Sequence, residues 1–245
     1  MHVSRVSAAL LGVTALSIAV SAQTPALLFV SYTTVKPERV REYIDINKQY
    51  SDGFKKAGVP FRYVYRNAAG NPYEFLVVTP MSNYAALDSP GPLTKGMSEG
   101  DLARLADRRA QCVLSVRTSY DRPLAELSIG TNTAPKIVRA TRVRVRPGMA
   151  DQWIAMMTEQ TVPALKKGGV TWYRVRRVEY GGSRNDFVMG TGAETMAELD
   201  APSALIKALG QEGYKKWADK ANSLGTAIDW SLYRFMPEVS YRLEQ

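Results

Sequence analysis

Two short stretches hold residue types at a spacing suited to recognition chemistry. In residues 58–67, GVPFRYVYRN, Phe61, Tyr63 and Tyr65 stand at alternate positions. In residues 169–178, GVTWYRVRRV, the same places hold Trp172, Arg174 and Arg176. Alternate side chains of a β-strand share a face. One strand would therefore present a wall of rings, and the other a row of guanidiniums beside an indole. Guanidiniums over an apolar floor hold a carboxylate or phenolate, and aromatic walls stack a ring. Arg139 and its counterpart Phe29 join the same cavity if their strands turn them inward, with Val138 and Ala140 then lying under a helix. Were the site catalytic, Tyr63, Tyr65 or Tyr233 would donate a proton to a developing oxyanion. Asp229 would be the base, provided its surroundings raise its pKa. The plainer reading is that Tyr and Trp are ordinary strand and core residues. Arginines at strand ends are usually solvated or paired, here with acids such as Glu179 and Asp186.

Elements to position these residues are written twice in the chain. The quoted stretches lie 169 − 58 = 111 residues apart. Before each comes a β-rich run (27–35 and 137–145) ending in Val35-Lys36-Pro37 or Val145-Arg146-Pro147. Proline there does no harm at the start of a helix. A helical pattern follows in each, with apolar Val40, Tyr43, Ile44 and Phe54 in the first and Ala150, Trp153, Ile154, Met157 and Leu165 in the second. Each closes on a lysine pair and glycine, which suit a helix C-terminus. After the quoted strand come a turn, a third strand (74–79 and 186–191), a second helical region (best near 99–111 and 213–223) and a fourth strand (112–120 and 227–235). Each copy reads β-α-β-β-α-β, the ferredoxin-like unit. The expected organisation is repeat 1 over 26–128, a turn-rich linker over 129–135, and repeat 2 over 136–242. Gly190-Thr-Gly192 resembles the start of a dinucleotide loop, but position 195 is Thr, so the third glycine is missing. It reads as the end of a strand.

Residues 1–22 read as a secretory signal: Arg5, an apolar run over 6–20, and Val20-Ser21-Ala22 at the cleavage site. The run is short for a membrane span. The expectation is an exported protein, periplasmic or extracellular, with no stable membrane insertion after cleavage. Cleavage would also remove His2, the only histidine in the sequence. That excludes histidine-ligated haem or zinc, a Ser-His-Asp triad and a histidine base. The single cysteine, Cys112, excludes an internal disulfide and a cysteine metal cluster, and reads as a packing residue. No metal and no cofactor are expected. The net charge of +9 could attract nucleic acid, anionic lipid or an acidic ligand. The signal argues against nucleic acid, and membrane-surface binding would need the basic residues gathered on one face.

The doubled β-α-β-β-α-β pattern, with its long first helix and a V-x-P entering it, resembles the dimeric α+β barrel superfamily. Antibiotic-biosynthesis-type monooxygenases, EthD-like and NIPSNAP proteins belong to it. The resemblance covers about residues 26–242. It implies an α+β fold in which two ferredoxin-like repeats pair sheet to sheet into a barrel with helices outside. It also implies a small-molecule ligand in an internal pocket, an anionic aromatic or apolar acid. A cofactor-independent monooxygenase-like or cyclase-like activity is one reading. A non-catalytic binding or assembly protein with a packed barrel core is the other. Further self-association is left open.

Overall fold

The computed structural model describes residues 25–131 and 133–244; the signal segment read from the sequence lies outside them. The N-terminal unit runs β1 (Leu27–Val35), α1 (Val40–Lys56), β2 (Phe61–Ala69), β3 (Glu74–Met81), the short α2 (Leu93–Gly96), α3 (Glu99–Cys112) and β4 (Val113–Pro123). The C-terminal unit runs β5 (Ile137–Val145), α4 (Ala150–Met156), a π-helical turn (Met157–Thr161), α5 (Val162–Lys167), β6 (Tyr173–Tyr180), β7 (Asp186–Ala193), α6 (Ala204–Leu224) and β8 (Gly225–Phe235). A two-residue strand, β9 (Tyr241–Arg242), follows.

Each unit contributes four neighbouring strands, β2-β3-β1-β4 and β6-β7-β5-β8. Antiparallel pairs β4–β6 and β2–β8 join the units, and the ring closes into an eight-stranded barrel. Closure removes the exposed sheet edges that two separate sheets would carry. All neighbours are antiparallel, so strands four places apart, such as β1 and β5, run the same way.

Three apolar clusters follow from this layout. One fills the space under α1 and α3 and includes Tyr43, Ile46, Val64, Phe75 and the buried Cys112. A second lies under α4, α5 and α6 around Trp153, Met157, Tyr173 and Phe187. The third is inside the barrel, around Val30, Tyr65, Leu76, Val138 and Tyr233.

The first helix differs between the units for a reason written in the spacing. Val35 and Val145 are 145 − 35 = 110 residues apart, whereas Gly58 and Gly169 are 111 apart. The C-terminal unit thus has one extra residue between strand and glycine. The regular helix α1 becomes α4, a π-turn and α5. A π-turn is the usual way to absorb one residue in a helix without shifting both ends. The Trp217 indole donates to Thr161 Oγ1 at 2.9 Å, pinning α6 to that turn. The second helix of this unit starts earlier than its sequence pattern suggests, at Ala204, and bends at Gly210, whose φ of 70° suits glycine.

The strand faces correct one expectation. In β1, Leu28, Val30 and Tyr32 point into the barrel, so Phe29 lies outside against the Tyr120 ring, 5.5 Å between centroids. In β5, Val138 and Ala140 point inward and Arg139 is exposed outside. The physical reason is crowding. The barrel interior must hold large side chains from β2, β6 and β8, and the small residues of β5 leave them room. In β1 each face mixes apolar residues with hydroxyl ones, Phe29 with Ser31 and Thr33 on one and Leu28 and Val30 with Thr34 on the other, so its pattern carries no phase.

Candidate functional site

A cavity of about 580 Å3 occupies the end of the barrel where β1, β2, β5 and β6 begin. Equivalent positions of the two units face each other across it. Phe61, the first residue of β2, corresponds to Trp172, just before β6. Tyr63 corresponds to Arg174, and Tyr65 to Arg176. All six line the cavity. The aromatic and arginine sets expected from alternation are therefore brought together. Phe61 and Tyr63 stack with centroids 4.6 Å apart, and Phe235 meets Tyr63 edge-on and Tyr65 at a tilt. Leu28, Leu76, Val78, Val138 and Ala140 complete an apolar wall.

Gly190 and Gly192 are part of this design. A Cβ at Gly190 would come within 3.1 Å of Val138 and 3.3 Å of the Trp172 ring, and one at Gly192 within 3.1 Å of Trp172 Cβ. The two glycines form the shelf on which the indole lies. Val78 holds the place of Gly190 in the other unit.

The arginines are engaged in different ways. Arg176 donates to Asp121 Oδ2 at 2.8 Å and to the Tyr32 hydroxyl at 2.9 Å. Burial alone would lower its pKa, but Tyr32 and Asp121 outweigh that and hold it charged. Arg174 donates to the carbonyls of Ile129 (2.6 Å), Tyr173 (2.8 Å), Gly130 (3.3 Å) and Thr131, and lies over the Trp172 ring. It clasps the chain segment that joins the units. Arg242 reaches the same cavity from β9, with Nη1 3.5 Å from the Tyr63 hydroxyl. Among the described residues no Asp or Glu lines the cavity. Burial pushes the phenols of Tyr63 and Tyr65 above their ordinary range, so they stay protonated donors. Two buried polar atoms beside the cavity, Trp172 Nε1 and Asp121 Oδ1, have no protein hydrogen-bond partner.

The remaining expected residues lie elsewhere. Tyr233 is inside the barrel but donates to Glu74 Oε1 at 3.0 Å and does not line the cavity; burial raises its pKa. Asp229 is exposed, pairs across the sheet with Arg142 towards the far end of β5, and accepts from Ser231 Oγ at 3.1 Å. Phe29 and Arg139 are outside, as described. Arg139 lines a second hollow, of about 360 Å3, between the outer face of β5 and β8 and helices α4 and α6, with Trp153, Trp217 and Trp230. The sequence reading missed Arg242 and set Gly190 aside. The signal for Gly190 was its pairing with Val78 in the other copy. Arg242 stands beyond the repeated strands, and only the pairing of β9 with β2 shows its place.

Among the described residues no three His, Cys, Asp or Glu side chains gather into a metal site, and no helix is long and apolar enough to cross a membrane.

The sequence matches no known family profile, and no curated protein matches it. Solved structures do resemble it. An anthrone oxidase-like protein superposes with a TM-score of 0.63 at 12% identity, covering 91% of this chain and 95% of that one. A candidate monooxygenase from Fusobacterium nucleatum gives 0.62 at 9% identity, covering 88% and 94%. One from Lactobacillus acidophilus gives 0.61 at 11%, covering 90% and 100%. At these identities the likeness is one of fold. It shows that the chain shares their α+β barrel fold.

Proposed function

We propose that this is an exported small-molecule protein whose barrel cavity takes a small, planar, mostly apolar acid. The observation that carries the reading is the cavity itself. Its volume falls in the range of ligand sites, and its walls are apolar and aromatic, with three guanidiniums and no carboxylate among the described residues. A packed core would leave no such space, which weighs against the reading of a barrel that serves assembly alone. The orphaned Trp172 Nε1 and Asp121 Oδ1 fit a site completed by a bound molecule or water. The leader read from the sequence supports export.

Any chemistry in this cavity rests on stabilising an anion formed on the ligand. Tyr63 is a half-buried donor, and the guanidiniums supply positive charge in a low-dielectric space. Among the described residues the lining holds no carboxylate or histidine to act as a base, and no cluster of metal ligands. A monooxygenase-like or cyclase-like reaction here would start from a ligand that ionises readily, and Asp229 would take no part in it.

A thermal-shift screen of the mature chain against aromatic and aliphatic acids tests the reading. A ligand at a hundred times its dissociation constant stabilises the fold by about 2.7 kcal/mol. Ala140→Phe, which fills the cavity from β5, should abolish the shift. If no acid shifts the parent, or the shifts persist in a folded Ala140→Phe protein, the cavity is not the site.

A further inference from the structure

The three arginines at the cavity are not equivalent, and their partners rank them. Arg176 is neutralised by Asp121 and hydrogen-bonded to Tyr32. Arg174 directs its donors to the carbonyls of the joining segment. Arg242 meets the Tyr63 hydroxyl only at the long limit of a hydrogen bond, 3.5 Å. Its backbone is nonetheless fixed. β9 pairs with Phe61 and Arg62, Tyr241 donates its hydroxyl to the Val59 carbonyl at 3.0 Å, and the Leu243 amide donates to the Pro60 carbonyl at 2.8 Å. Alternation along β9 turns Tyr241 towards the helix layer and Arg242 towards the cavity. Arg174 from β6 and Arg242 from β9, which is paired on β2, thus line one cavity mouth, and their like charges act on each other there. Two cations at the mouth of an apolar hollow with no carboxylate among its described lining residues call for an anion.

Resting on the cavity reading above, we propose that Arg242 is the anion anchor. The ligand is an amphipathic monoanion whose carboxylate, sulfonate or phenolate head sits at the mouth on Arg242, beside Tyr63, with its ring between Phe61 and Trp172. The other unit has no equivalent anchor, for a steric reason. The residue matching Arg242 is 242 − 112 = 130, and Gly130 has a φ of 79° with no room for a Cβ against the Thr171 carbonyl. The head group therefore has one place to bind, and the ligand has one orientation along the barrel.

Two fluorescent probes that share one ring system separate the claims: anilinonaphthalene sulfonate, an anion, and N-phenylnaphthylamine, which lacks the sulfonate. The mature parent protein should bind both, the anion more tightly. Arg242→Gln should weaken the anion by roughly tenfold or more, the usual worth of a charged hydrogen bond, and leave the neutral probe within about twofold. Arg242→Lys should restore part of the preference. Arg242 is exposed, so these variants should melt like the parent. If the anion binds no more tightly than the neutral probe, or Arg242→Gln leaves the preference intact, the anchor is wrong while the cavity reading stands. If neither probe binds, or both still bind a folded Ala140→Phe protein, the cavity reading fails and the anchor with it.

Discussion

Arg62 in the N-terminal unit and Tyr173 in the C-terminal unit stand at the same strand position beneath the long first helix. Arg62 is buried and donates to Asn47 Oδ1 at 2.6 Å and Ser51 Oγ at 2.8 Å; burial lowers its pKa to about 10. Tyr173 is equally buried, in a cluster that is otherwise apolar. The first residue of the third strand shows the reverse. Asp186 sits between Arg142 and Arg144, with contacts of 2.7–3.0 Å, while its counterpart Glu74 accepts from Tyr233 and Asn67. At the cavity, aromatic rings and Val78 face an indole, two guanidiniums and Gly190. The two units therefore carry unlike side chains at these matched positions. A symmetric cavity on the axis would accept a ligand in two orientations, and these differences make it distinguish the two.

The comparison breaks most sharply at Asp186. Replacing it by Ala leaves two arginines without their shared carboxylate at a fully buried position. The expected loss is roughly 3 kcal/mol in denaturant unfolding, whereas Glu74→Ala should cost about 1 kcal/mol. Equal losses would show that the units rely on the same polar contact. The pH dependence carries the same signature. Burial pushes the Asp186 carboxyl up, but the guanidiniums of Arg144 and Arg142 outweigh it and hold the pKa below the ordinary value of 3.8. A carboxyl lowered on folding contributes stability above its unfolded pKa, and that contribution is lost as pH falls through the folded value. The melting temperature of the parent should therefore fall below about pH 4, and Asp186→Asn should be less sensitive to acid there.

Arg62→Ala removes the partner of Asn47 and Ser51 and leaves a void under α1. A loss of about 2–3 kcal/mol is expected. Tyr173→Phe at the equivalent position should stay within about 0.5 kcal/mol. Should the tyrosine variant prove the more costly, the buried arginine is not what distinguishes the N-terminal unit.

Gly190→Ala sharpens the contrast at the cavity. The new methyl presses on Val138 and Trp172, so stability should fall by about 1 kcal/mol and the bound probe should weaken several-fold. Val78→Ala, across the axis, enlarges the cavity instead and should weaken binding only slightly. Isothermal titration with anilinonaphthalene sulfonate measures both, and equal effects would mean the ring does not lie on the Trp172 side.

The order β-α-β-β-α-β, the inward phase of β2 and β6, and the gathering of Phe61, Tyr63, Tyr65, Trp172, Arg174 and Arg176 on shared faces are properties of the sequence. They depend on local periodicity. The phase of β1 and β5 was not legible, because β1 buries Ser31 and Thr33 on its outer face, and small residues at 138 and 140 are as fit for the barrel interior as for a helix contact. The partners of the arginines depended on closure. Asp121 reaches Arg176 only because β4 pairs with β6, and Arg242 reaches the cavity only because β9 pairs with β2. Local pattern sets which way a side chain turns from its strand. Which charges then meet is decided by contacts between residues far apart in the chain, and those exist only once the ring of strands has closed.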